Sequence, residues 1–179
     1  MVLNKMSYAR RFLVCTILLV FCLSSGTACG AKKHEVIPYE GPPITSLVKM
    51  LDYLSKIDHS EYGGHYGNLE KKNALYIAVL DNEKKWEIAG MAEAANNTMG
   101  EGTATLVDVK YSLAELEAAQ ELLFENREQS GIWSAGVAPQ KNKVVVHAEE
   151  FTEEAKKAIY ALVDEDMVEL APAHHPRRE

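Results

Sequence analysis

Two stretches with the same turn chemistry, 69 residues apart, set the frame for the whole chain. Asn73 and Asn142 each follow a lysine and precede an apolar run, Ala74–Leu80 (ALYIAVL) and Lys143–Ala148 (KVVVHA). At that offset Leu75 falls on Val144, Ile77 on Val146 and Val79 on Ala148. Apolar runs rich in β-branched residues after an Asn turn read as strands. The surrounding elements repeat too: helix, strand, strand, helix, strand over residues 44–110, and again over 112–171. The prediction is an α+β fold of two sequential units, with small antiparallel or mixed sheets backed by helices. Identity between the halves is weak. An old duplication and a recurring α+β pattern both stay open, with the repeated Lys-Asn turn favouring duplication.

Each element has a local reason. Apolar residues Ile44, Leu47, Val48, Leu51, Leu54 and Ile57 keep helical spacing, with Thr45 or Ser46 as N-cap. Tyr62–Asn68 (YGGHYGN) is a Gly-rich strand, 84–95 a helix capped by Asp81 or Asn82, 96–103 a loop and 104–110 a strand. Ser112 and Glu115 form a capping box for a helix to Asn126. Ile132–Ala138 and Lys143–Ala148 are strands around a Pro139–Asn142 turn. Thr152 caps a helix to Val163, with Glu153 and Glu154 favourably placed in its first turn. Met167–Ala171 closes the domain. Pro172 is expected to stop the ladder, leaving 172–179 as a flexible tail. From Ala104 onward the order matches the split βαβ of ferredoxin-like folds, which host many functions and imply none.

The N-terminus reads as an export signal over residues 1–28. Lys5, Arg10 and Arg11 precede an apolar core, Phe12–Leu23, and then the small residues SSGTA. That core is too short for a membrane-spanning helix. Two processing routes stay open. An ordinary signal peptidase would cut before Cys29. Alternatively, Gly26-Thr27-Ala28-Cys29 resembles a bacterial lipobox, with Gly26 where Leu is usual, and Cys29 would then carry lipid. Residues 29–43, with Pro38, Gly41, Pro42 and Pro43, would serve as linker or tether before a domain over 44–171. The expected location is extracytoplasmic, secreted or lipid-anchored, with membrane contact through the signal or anchor only.

Composition narrows the partners. Removing residues 1–28 takes Lys5, Arg10 and Arg11 from 19 basic side chains and none from 26 acidic ones, so the net charge moves from −7 to −10. Nucleic acid needs clustered Lys and Arg and is not expected. Cys15, Cys22 and Cys29 all lie in or at the end of the leader. With Cys29 acylated, the folded part would have no thiol for a disulfide, a nucleophile or a cysteine zinc site.

Two segments carry a family resemblance. Val107–Leu123 (VDVKYSLAELEAAQELL) and, after a strand, Lys141–Ile159 (KNKVVVHAEEFTEEAKKAI) resemble the pro-regions of alpha-lytic and streptogrisin-type secreted serine proteases. Tyr62–Leu80 resembles the Gly-aromatic hairpin of their first half, so the resemblance spans about Tyr62–Leu170. It implies an intramolecular chaperone and inhibitor that holds a protease through its sheet and C-terminal tail. The chain departs from that pattern by lacking the Gly-Asp-Ser-Gly nucleophile motif and a protease domain.

No catalytic constellation is recognisable. The histidines (His34, His59, His65, His147, His174, His175) lack helical i, i+4 ligand spacing, so no metal or other cofactor is expected. The acidic runs 149–150, 153–154 and 164–166 read as solvated caps and turns. Gly63, Gly64 and Gly67 do not form a phosphate loop and mark a bent strand where another backbone comes close. Asn96-Asn97-Thr98 matches a glycosylation sequon, and a polar loop explains it equally. The expectation is a non-enzymatic protein-binding module, inhibitor- or chaperone-like toward a secreted protease. The alternative is a surface lipoprotein that binds a small ligand or glycan through Tyr62, His65, Tyr66 and Trp133, with core packing as the competing role for these aromatics. Oligomeric state is not set by the sequence.

Overall fold

Two three-stranded sheets of identical strand order form the framework in a computed structural model that describes residues 35–67 and 73–173. The leader, Cys29 and residues 174–179 fall outside the described residues. In the first sheet β1 (Tyr62–Gly67) runs antiparallel to β2 (Leu75–Val79). Helix α2 (Lys84–Met99) then crosses over to β3 (Ala104–Asp108), which runs parallel to β2. The second sheet repeats this with β4 (Ser134–Ala138), β5 (Lys143–Ala148), a crossover helix over Glu153–Tyr160 and β6 (Val168–Pro172). Each hairpin is preceded by a helix, α1 (Leu47–Leu54) or α3 (Leu113–Glu125). The short α4 (Arg127–Ser130) follows α3, which makes the crossover helix α5. The α+β architecture is therefore the one the repeated pattern implies. β3, which in a ferredoxin-like sheet would join β4–β6, is paired with β2 instead, so each sheet has three strands.

The two Asn turns carry the repeat down to the backbone. Among the described residues, Asn73 (φ 61°) and Asn142 (φ 51°) are the only non-glycine positions with positive φ. Asparagine tolerates that left-handed region better than most residues. The Asn142 side chain also holds the connector between the halves. Its Oδ1 accepts from the Lys110 and Tyr111 N–H groups at 3.1 and 2.8 Å, and its Nδ2 donates to Tyr111 O at 2.8 Å.

Each half has its own core. β2 supplies Leu75, Ile77 and Val79 against Ile88, Met91 and Ala95 of α2 and Met50 and Leu54 of α1. β5 supplies Val144 and Val146 against Leu116 and Leu123 of α3, Ile159 of α5 and Val168 of β6. Burying side chains of this size contributes roughly 1.5–3 kcal/mol each, which is what orders such short strands. α1 is shorter than its apolar pattern suggests. Ser46 caps it, and Val48 and Leu51 are exposed because they fall off the stripe that buries Met50 and Leu54.

The segment expected to be a linker touches α2 at Ile37–Tyr39. Ile37 N–H donates to Trp86 O, and Tyr39 packs edge-on to Tyr53 and against the first core. Gly90 permits this, because a Cβ there would lie 1.9 Å from Ile37 O. α2 also runs to Met99, past the expected end at Ala95. Asn96 explains the extension: its Nδ2 donates to Ala104 O and its Oδ1 accepts from Ala104 N–H, both at 2.9 Å. The sequon residue thus pairs with the first residue of β3 and takes the structural role.

Candidate functional site

The four aromatic and imidazole residues expected to form one ridge occur in separate packed groups. Tyr62 is a core residue, 2% exposed, and stacks on His65 at 6.5 Å between ring centroids. Tyr66 stacks on Tyr76, its partner across the hairpin, at 5.1 Å. Trp133 belongs to the second half and packs on His147 at 5.4 Å. The glycines play the role read from the sequence. Register shifts at Tyr62/Gly64, Gly64 has φ 98°, and a Cβ at Gly63 would meet Val109 at 2.5 Å and the Tyr111 carbonyl at 3.2 Å. β1 is a bulged strand with another backbone laid against it.

Around β1 a polar cluster forms that the sequence did not assemble. His59 Nδ1 lies 2.8 Å from Glu117 Oε2, and its ring meets Tyr62 edge-on. Burial pushes the Tyr62 phenol above its ordinary range, and the Glu117 charge adds to this. Burial likewise holds the His65 imidazole below its ordinary value, with His59 reinforcing the effect. His65 Nδ1 is buried without a hydrogen-bond partner among the described residues. The cluster is tied by α3, whose Ala114 N–H donates to His59 O. Among the described residues no group of three or more His, Cys, Asp or Glu side chains is placed to hold a metal ion.

The second sheet carries a more open arrangement. Ser134 and His147 face each other across the β4–β5 hairpin, with Ser134 Oγ 3.1 Å from His147 Nδ1. Counting outward from the Pro139–Asn142 turn through Ala138↔Lys143 would have paired them in the sequence. Trp133 lies over this His and lines two adjoining hollows. One is shared by Gly131, Glu149 and Glu150, the other by Phe124, Arg127, Glu128 and Ile132. Phe124 is exposed, with the Arg127 guanidinium 4.5 Å from its ring centre.

The sheet edges differ in cover. At β4, the Val137 N–H donates to Gln120 Oε1 from α3. β1 lies against Pro139 and Leu113, which a Cβ on Gly64 would touch at 3.4 and 3.6 Å. β3 and β6 are the outer strands on the other sides of their sheets. β6 continues one residue past the expected end, since Pro172 pairs with Ala148 and Ala173 N–H donates to Ala148 O at 2.9 Å. Parity explains why Pro172 does not break the ladder. Backbone groups alternate sides along a strand, so if Ala173 points inward, Pro172 and Leu170 point to the open edge. Proline's missing N–H is thus harmless there, and the Leu170 N–H is left facing outward. Trp133 Nε1 fixes the end of the strand by donating to Ala173 O at 3.3 Å.

No family model matches the chain, and no curated protein matches it.

Proposed function

We propose that this chain is an exported, non-enzymatic module that binds a secreted or envelope protein through the open edge of β6 and the segment leaving it. The observation that carries the reading is the disposition of β6. It is an outer strand whose Leu170 backbone faces away from β5, and it ends at a point fixed by Trp133. An extended segment of a partner could add to such an edge, its main chain supplying affinity and its side chains specificity. The resemblance of Val107–Leu123 and Lys141–Ile159 to serine-protease pro-regions supports the same direction, because those domains hold their protease through a sheet and tail. Export rests on the order of charge, apolar core and small residues in 1–28, with Cys29 as the lipid-attachment residue if the lipobox is used.

Replacing Leu170 by proline tests the reading on the full-length exported protein. The substitution removes an N–H from the open edge and leaves the β5-facing ladder groups in place. The secreted protein co-purifying with the native chain should be lost from the variant while the thermal transition is retained. Equal capture by a folded variant would refute edge binding.

A further inference from the structure

The outward face of the second sheet is smooth at its centre and oppositely charged at its two ends. We infer that this face docks on the same face of a second copy of the chain. Val144 and Val146 of β5 point into the core, so Lys143, Val145 and His147 point outward. Gly136 of β4 lies beside Val145, and Ala171 of β6 beside His147. A Cβ on Gly136 would meet nothing within 4 Å, so no described element rests on the middle of the face.

Charge selects a second copy as the occupant. Lys143 stands at the turn end of β5, and Glu149 and Glu150 follow its other end. None of the three has an ion-pair partner among the described residues, whereas the neighbouring Lys141 is paired with Glu169. A two-fold axis lying in the face and crossing β5 at right angles reverses the strand direction in the second copy, and each contact then occurs twice. Centred on Val146, midway between residues 143 and 149, such an axis sets Lys143 of each copy over Glu149 and Glu150 of the other. Trp133 lines the hollow that Glu149 and Glu150 share, and an ammonium packs on an indole as well as beside a carboxylate. Three strands about 4.8 Å apart, of this length, cover only about 14 by 17 Å. That is small against the roughly 800 Å² each partner buries in a stable interface, so the pair exchanges with monomers as concentration changes. Face and edge are different surfaces of the sheet, and the inference stands whether or not the β6 edge binds a protein.

Reciprocal charge swaps test this on the full-length exported protein. Sedimentation equilibrium at about 0.15 M salt, where net repulsion is screened beyond about 8 Å, should show the native chain passing between monomer and dimer. Lys143→Glu alone, and Glu149→Lys/Glu150→Lys alone, should each raise the dissociation constant about tenfold, because both end contacts become like-charge ones. An equimolar mixture of the two variants should return to the native value, since both end contacts are then attractive again. A native chain that stays monomeric, its face left to another protein, would overturn the inference. So would a mixture of the folded variants that associates no more tightly than either alone. Gly136→Arg gives a second reading, because its side chain builds into open space and leaves the sheet intact. It should abolish the dimer while the thermal transition is kept, and unchanged association would overturn the inference independently.

Discussion

β2 and β5 occupy the same place in their sheets, yet one is sealed on both faces and the other on one. Leu75, Ile77, Ala78 and Val79 of β2 are all buried, with only Tyr76 half-buried. β5 alternates, burying Val144, Val146 and Ala148 while Lys143, Val145 and His147 remain half-exposed. The cause lies in their neighbours. A Cβ on Gly63 of β1 would lie only 3.0 Å from the Ala78 side chain and would meet Val109 and Tyr111, so the connector closes over the first sheet. Gly136 of β4 would meet nothing within 4 Å, and the second sheet keeps an uncovered face. A repeated framework can thus commit one half to stability and leave the other a usable surface.

Substitutions at matched positions sharpen that contrast. Ala78 and His147 are equivalent at the 69-residue offset. Ala78→Lys should cost more than about 3 kcal/mol by placing an unpaired charge in the first sheet's cover, and His147→Lys less than about 1 kcal/mol. Urea denaturation of both variants gives the comparison, and similar losses would erase it. Asn142→Ala should cost about 2 kcal/mol, since three side-chain hydrogen bonds are lost and alanine must adopt a positive φ. Asn142→Gly keeps the turn conformation and isolates the hydrogen-bonding part. Ser112→Ala should cost about 1 kcal/mol through loss of the capping box.

The smallest expected effect is a pH dependence confined to the first half. Unfolded, His65 takes up a proton as pH falls through its ordinary value of 6.5, while in the fold burial keeps it neutral to lower pH. Its contribution is therefore fully present above 6.5 and is lost as pH drops below that value toward the folded pKa. The groups facing it are His59, itself paired with Glu117, and the Tyr62 ring. His65→Gln should lose less thermal stability than the native chain between about pH 7.5 and 5.5. Parallel losses would assign the pH dependence to other groups.

What could be read in the sequence followed from local chemistry. The capping box at Ser112, the Thr152 cap, the limits of β5 and the bulge at the glycines all depend on residues within a few positions of each other. The misplaced features depended on distant partners. The helical end at Met99 is set by Asn96 reaching Ala104, and the seating of residues 37–39 by Gly90. Ser134 and His147 meet through hairpin register, and His59 and Glu117 through packing of α3 near β1. The expected ridge is divided because Tyr66 lies on β1 of the first sheet and Trp133 just before β4 of the second, which no spacing rule reports.

The most direct measurement places a photo-crosslinking residue at Glu169 on β6 and, separately, at Thr105, which holds the equivalent outer-strand position on β3. Each full-length variant would be exported and irradiated in place. If the second sheet is the binding half, one discrete adduct forms from position 169 and none from position 105. Adducts from 105 alone, or equally from both, would contradict the division of roles between the two sheets.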